Sequence, residues 1–165
     1  METLRIHDRW APGLVGDVAA LHARFYAGSH GFGAAFEHKV AAEFGALMER
    51  FDQRRDFLRA AERDGRFLGS IAVDGAPQGA TAEEAQVRFF LLDAGLRGQG
   101  LGRRWLGEAV AHARGAGFRR VVLWTLGGLD PATALYLEAG LRLEEERTAA
   151  QFGTPALERR FGLAL

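Results

Sequence analysis

The chain has 165 residues, enough for one domain with a full-sized core, and its 21 basic residues balance 21 acidic ones. With no net charge, nothing in the overall field draws it onto nucleic acid or an anionic membrane. With no cysteine, it has no disulfide, thiolate metal site or cysteine nucleophile.

The N-terminal METLRIHDRW lacks the apolar core of a signal peptide. No apolar run approaches the roughly 20 residues of a spanning helix, so the expectation is a soluble cytoplasmic protein. Leu4 to Asp8 is a short strand candidate, and Pro12 and Gly13 punctuate before a helix expected from Leu14 to Tyr26. That segment puts Leu14, Val18, Leu21 and Phe25 on one face, and the run from Gly28 to Gly33 is expected to break it. A second amphipathic helix follows, with Phe36, Val40, Phe44, Leu47 and Phe51 spaced by three and four. Phe57 to Glu62 and Phe67 to Val73 flank Arg63-Asp64-Gly65-Arg66, an Asp-Gly hairpin signal. The stretch from Gly75 to Glu84 reads as a surface loop, and Gln86 to Leu92 as a central apolar strand.

Trp105, Leu106, Ala109, Val110 and Ala113 form a helical stripe that ends at Gly115 and Gly117. Val121 to Leu126 is a continuous apolar run, as expected of a strand covered on both faces. Asp130 as N-cap and Pro131 at the first helical position open a helix that Gly140 closes. Two strands near 141–149 and 157–165 complete the chain. The order of elements predicts an α/β fold with a mixed sheet.

The chain has 22 glycines, about twice the ordinary share of roughly 7%, and they are densest between the central strand and the Trp105 helix. Gly95, Gly98, Gly100 and Gly102 lie within eight residues there. A strand that passes through a glycine turn into a helix start exposes unpaired backbone N–H groups, and positions without side chains let an anion approach them. The segment lacks the Gly-Lys-Ser/Thr of a nucleotide triphosphate loop. It also lacks G-x-G-x-x-G, because Trp105 stands where the third glycine belongs. A tight turn without a ligand is the competing reading.

What remains, Arg97-x-x-Gly100-x-Gly102, resembles the Gln/Arg-x-x-Gly-x-Gly/Ala signature of the GNAT superfamily of acyl-CoA-dependent N-acyltransferases. The second half adds to the likeness. VVLWTLGGLDPATALYLEAGLRLEEE is similar to the family's strand, helix ending in Leu-Tyr-x-x-x-Gly-Phe, and strand, with Leu135, Tyr136 and Gly140 in place and Leu141 where phenylalanine is usual. The resemblance covers nearly the whole chain and implies a mostly antiparallel twisted sheet flanked by about four helices. More narrowly, LWT, AxxLYxxAG and the stretch from Glu144 to Gly153 resemble the acetyltransferase domain often joined to MarR-type regulators. Those proteins typically carry histidines before the Phe-Gly pair, whereas this chain has Thr148, Ala149, Ala150 and Gln151.

The resemblance implies acetyl-CoA as cosubstrate, no metal, and a primary amine on a small molecule or protein as acceptor, and it leaves a homodimer open. Carried over residue by residue, it gives Arg97, Gly98, Gln99, Gly100, Leu101 and Gly102 to the pyrophosphate, with Arg103 adding charge at the helix start. Phe90, Leu91 and Leu92 would offer backbone to the pantetheine arm. The family's asparagine seven residues before the tyrosine is Leu129 here, with Thr125 or Asp130 as partial stand-ins. Tyr136 is the candidate general acid for the departing thiolate, against the reading of a buried aromatic on the apolar helix face. No carboxylate precedes Asp93 on the central strand, which offers Gln86 and Arg88. Glu37, His30 and Glu84 lie in segments that could border the substrate cleft, but for each the reading of a solvated surface group is favoured over that of a base, and Arg88 either binds an acidic substrate group or pairs with a neighbouring carboxylate. Tyr26 and the Gly28 to Gly33 loop are expected to shape the acceptor pocket. A non-catalytic acyl-CoA-binding sensor and a protein-interaction domain that has kept the fold are the alternatives.

Overall fold

The structure is a computed structural model that describes residues 3–77, 79 and 81–165. In chain order the elements are β1 (Arg5–His7), α1 (Leu14–His30), α2 (Ala34–Glu49), β2 (Phe57–Arg63), β3 (Arg66–Asp74) and β4 (Glu84–Leu92). A short 3-10 turn (Ala94–Leu96) leads into α3 (Leu101–Gly115), β5 (Arg120–Leu126), α4 (Asp130–Glu138), β6 (Arg142–Ala149) and β7 (Ala156–Ala164). The seven strands form one sheet in the order β1-β2-β3-β4-β5-β7-β6. Only β4 and β5 pair in parallel; every other neighbour is antiparallel.

The alternation of β3 explains the layering. Ile71 and Val73 face one core with Trp105, Leu106 and Ala109 of α3, while Ala72 between them faces a second core with Leu14 and Val18 of α1 and Phe44 and Leu47 of α2. A third cluster joins Phe32, Phe36 and Val40 to Leu126 at the end of β5. The Trp105 ring is fully buried, and its indole Nε1 has no hydrogen-bond partner among the described residues.

Four sequence expectations are corrected. The first helix does not stop before Gly28 but runs to His30. A single interior glycine costs a helix only about 1 kcal/mol, and the left-handed position that ends the helix falls at Gly31, with φ +70°. The helix also buries His22 rather than Leu21 and Phe25, which are only half-buried. In α4 the N-cap is Leu129, with no side-chain cap, and Asp130 is the first helical residue. Its carboxylate lies in the first turn, where the helix dipole favours a negative charge. The far end closes as expected: Gly140 N–H donates to Leu137 O and Leu141 N–H to Tyr136 O. The loop expected from Gly75 to Glu84 gives way to β4 at Glu84, and Gln78 and Ala80 within it lie outside the described residues.

Candidate active site

The site begins where the sheet comes apart. The β4–β5 ladder pairs Glu84–Val87 with Arg120–Leu123 and goes no further. Opposite β3 the register slips: Ser70 faces Leu91 and Ala72 faces Arg88, so Phe89 and Phe90 together oppose Ile71. This is a β-bulge. Phe89 takes a φ of +53°, a conformation that is a genuine outlier for a bulky side chain and needs its surroundings to hold it. The buried Ser70 hydroxyl donates to Phe89 O at 2.6 Å, and the Phe89 ring packs on Phe44 at 4.8 Å. Beyond Val87, therefore, β4 presents a backbone edge with no partner in β5.

Two cavities meet at this notch, one of about 600 Å³ and one of about 630 Å³, and Tyr26, Phe90 and Tyr136 line both. The smaller is a groove between the end of β4, the start of α3 and one face of α4. Leu91, Leu92, Arg97, Gly98, Gly100, Leu101, Gly102 and Arg103 of the sequence assignment line it. The backbone N–H groups from Gly98 to Arg103 have no acceptor among the described residues, and α3 has no side-chain cap. Gly98 and Gly100 have φ of +75° and +79°, which any other residue would adopt only with strain. The result is a run of amide donors at the positive end of a helix of 15 residues.

The arginines around the groove are already engaged. Arg97 donates from Nε to Leu92 O at 2.9 Å and lies over the Phe25 ring at 5.2 Å. Arg103 pairs with Glu138 and Arg104 with Glu108, each at 3.0 Å. Gln99 bonds Gly95 O and does not line the groove.

The larger cavity lies on the α1–α2 side. Its apolar wall includes Phe36 and Phe152, part of an aromatic cluster in which Tyr26, Phe32, Phe36 and Phe152 sit 5.0 to 6.1 Å apart. The Phe-Gly pair of the β6–β7 turn thus places Phe152 over the cleft. Polar groups of the wall are joined into networks. Arg88 donates to Glu43 at 2.5 Å and to Asp74 at 3.0 Å, which resolves its alternatives in favour of carboxylate pairing.

Three neutral groups face the cleft floor. Burial pushes the Tyr136 phenol well above its ordinary value, with Tyr26 adding to the shift and the Thr125 hydroxyl pulling slightly the other way. Burial pushes Tyr26 up to about 12. His22 is 6% exposed, and burial lowers its pKa from 6.5 to about 4, against a smaller opposing effect of its bond to Val18. Its Nδ1 donates to Val18 O at 2.8 Å, which fixes the tautomer and leaves Nε2 as a lone pair with no partner among the described residues.

Sequence reasoning missed His22, although positions 14, 18 and 22 continue one stripe at spacings of four. Tyr136 and Tyr26, expected as general acid and pocket residue, both line the two cavities at the notch. Thr125 lines the larger cavity, as Tyr136 does, and not the groove. None of Glu37, His30 and Glu84 lines either cavity. His30 Nε2 donates to Gly127 O, and Glu84 pairs with Arg160. Among the described residues no group of three His, Cys, Asp or Glu side chains is placed to hold a metal ion, and no helix is long and apolar enough to cross a membrane.

The same architecture recurs in solved acetyltransferase structures. Ribosomal-protein-alanine N-acetyltransferase from Brucella melitensis superposes with a TM-score of 0.74 at 16% identity, over 99% of this chain and all of that one. A protein from Salmonella typhimurium described as an acetyltransferase, solved with its cofactor acetyl-CoA, gives 0.67 at 16% identity over 99% of this chain and 95% of the other. Residues 19–141 match the model of the acetyltransferase (GNAT) family, and the chain belongs to that family. Among curated proteins, a mycothiol acetyltransferase from Cellulomonas flavigena is 36% identical over 86 residues. That match spans 48% of this chain and a quarter of the length of the relative.

Proposed function

We propose that residues 1–165 act as one domain that transfers an acetyl group from acetyl-CoA to a primary amine by direct attack. The observation that carries this reading is the meeting of an amide-lined groove and a separate cleft at Tyr136. The groove fits the anionic part of the cosubstrate: unpaired N–H donors from Gly98 to Arg103 suit a pyrophosphate, and the free edge at Phe90, Leu91 and Leu92 suits an extended amide-bearing arm. When bound, acetyl-CoA supplies an acetyl group activated as a thioester.

The chain's residues then have distinct tasks. His22 Nε2 accepts a hydrogen bond from the incoming amine and so orients the nitrogen lone pair. A group with a pKa near 4 cannot hold the proton of an ammonium whose pKa is about 10, so that proton passes to solvent through the open cleft. A β4 amide beyond the end of the β5 ladder donates to the carbonyl oxygen as negative charge builds there. As the carbon–nitrogen bond forms and the carbon–sulfur bond breaks, the nitrogen releases its second proton to solvent through the open cleft, and Tyr136 gives its proton to the departing sulfur and regains one from solvent. Burial keeps that phenol protonated throughout the working pH range.

The test is Tyr136→Phe, followed by titration calorimetry with acetyl-CoA and by amine-dependent thiol release. Affinity for acetyl-CoA should stay within about twofold while turnover falls by roughly 100-fold or more. Unchanged turnover across pH would remove Tyr136 from the chemistry. No acetyl-CoA binding by the wild-type protein at high micromolar concentration would reject acetyl transfer itself.

A further inference from the structure

We infer that the amine acceptor carries an anionic group, and that Lys39 and Arg50 at the mouth of the acceptor cleft receive it. This inference rests on the acetyl-transfer reading and names the substrate class of the same site.

The argument is an audit of the cleft's charges. Among the described residues its lining carries four cations, Lys39, Arg50, Arg88 and Arg147, against three carboxylates, Glu43, Asp74 and Glu158. All six carboxylate oxygens already accept a hydrogen bond or ion pair. Glu43 takes Lys39 on one oxygen at 2.7 Å and Arg88 on the other at 2.5 Å. Asp74 takes Arg50 at 2.8 Å and Arg88 at 3.0 Å on Oδ2, and the Ala76 amide at 2.9 Å on Oδ1. Glu158 takes Arg147 on Oε1 at 3.0 Å and Gln151 on Oε2 at 2.6 Å. Asp74 and Glu158 are also buried, at 0% and 3% exposure.

The cations are not used up in the same way. Lys39 Nζ has three N–H donors and makes one ion pair. Arg50 spends Nη2 on Asp74, and its Nε and Nη1 have no acceptor among the described residues. Both side chains are about 40% exposed (39% and 42%), so their spare donors are open to a ligand. Arg88, held by two carboxylates and lying over the Phe89 ring at 4.7 Å, is a fixed part of the wall.

The consequence concerns what can enter. An acceptor with a second ammonium group, such as a polyamine or a lysine-rich peptide, would bring positive charge into a cleft with surplus positive charge and no free carboxylate. An acceptor with a carboxylate or similar anion meets unspent donors at the mouth, while its amine reaches the neutral His22 and Tyr136 floor. The aromatic wall of Phe36 and Phe152 suits an apolar body between the two ends.

The experiment uses the full chain with saturating acetyl-CoA and four probes: 2-phenylethylamine, 4-(2-aminoethyl)benzoate, phenylalanine and spermidine. Amine-dependent thiol release is read as kcat/KM. The expected result is that a carboxylate-bearing probe exceeds both 2-phenylethylamine and spermidine by at least about tenfold. Lys39→Gln should then raise KM for that probe several-fold and leave kcat unchanged. Equal or better turnover of 2-phenylethylamine or spermidine overturns the inference, as does failure of both carboxylate-bearing probes while acetyl-CoA binds. A fall in kcat rather than a rise in KM in Lys39→Gln overturns it too, because a merely structural lysine would act that way. If calorimetry shows no acetyl-CoA binding at all, the underlying acetyl-transfer reading falls, and the inference falls with it.

Discussion

His22 gives the sharpest physical test of the site, because its burial has a consequence for stability that can be measured without substrate. In the folded chain its imidazole titrates near 4, against 6.5 for an unburied one. Between those values the unfolded chain binds a proton that the folded chain refuses, so acid favours unfolding there. The contribution of neutral His22 is fully present above pH 6.5, is lost as the pH falls from 6.5 toward 4, and changes no further below that. At about 1.4 kcal/mol for each pH unit of separation the whole effect is roughly 3 kcal/mol, of which about 2 kcal/mol has gone by pH 5. The perturbation is His22→Gln, which cannot titrate, and the assay is urea unfolding of both proteins at pH 7.5 and pH 5.0. Loss of the Val18 bond weakens the variant equally at both pH values, and the carboxylates common to both proteins cancel in the comparison. Wild type should therefore lose about 2 kcal/mol more than His22→Gln over this interval. Losses that agree within about 0.5 kcal/mol would show that His22 is charged or solvated in the folded chain. They would also remove it as a neutral hydrogen-bond acceptor for the amine.

Other expectations follow from single contacts. Gly100→Ala forces a side chain into the left-handed region at φ +79° and should cost about 1 to 2 kcal/mol, read as a fall in thermal midpoint of several degrees together with weaker acetyl-CoA binding by calorimetry. Leu106→Ala empties a fully buried position under the sheet and should cost about 2 to 5 kcal/mol in urea unfolding, with acetyl-CoA affinity per folded molecule unchanged. Asp74→Ala strips Arg88 and Arg50 of a shared, fully buried partner. A loss of about 3 kcal/mol is expected, and a loss under about 0.5 kcal/mol would show that the pair is solvent-screened.

The parts of this fold legible in the sequence are those whose physics is local. An Asp-Gly pair between two apolar alternations sets the β2–β3 hairpin without help from the rest of the chain, and the structure turns at Asp64 and Gly65. The glycine run before α3 was equally readable, since exposed amides at a helix start are a property of a few consecutive residues. His22 was hidden because hydrophobicity assigned the α1 face to Leu21 and Phe25, while the sheet below selected the stripe 14, 18, 22. The bulge was hidden as well: nothing in VRFFLL marks Phe89 as the residue that takes φ +53°, because Ser70 and Phe44, 19 and 45 positions away, hold it there. The Glu43–Arg88–Asp74 network joins α2, β4 and the end of β3 in the same long-range way.

Charge shows how pairing in the folded chain, across elements for Arg103 and within one helix for Arg104, changes what the sequence suggests. Arg97, Arg103 and Arg104 crowd the glycine loop, which makes a positive patch the natural expectation at the groove. In the folded chain Arg103 and Arg104 stand exposed in pairs with Glu138 and Glu108, and exposed pairs of this kind are screened and weak. Their attraction for an anion is correspondingly offset by the carboxylates beside them. The donors left unpaired at the groove are the backbone amides from Gly98 to Arg103, whose partial charges need no counterion. The surplus of positive charge lies instead across the notch, in the cleft where Lys39 and Arg50 outnumber the carboxylates left to pair with them. On the proposed reading, a chain with no net charge would divide its anion recognition between two kinds of donor. Backbone dipoles would serve the groove, where a pyrophosphate would lie, and side-chain cations would serve the cleft, where the acceptor would have to be told apart from other amines.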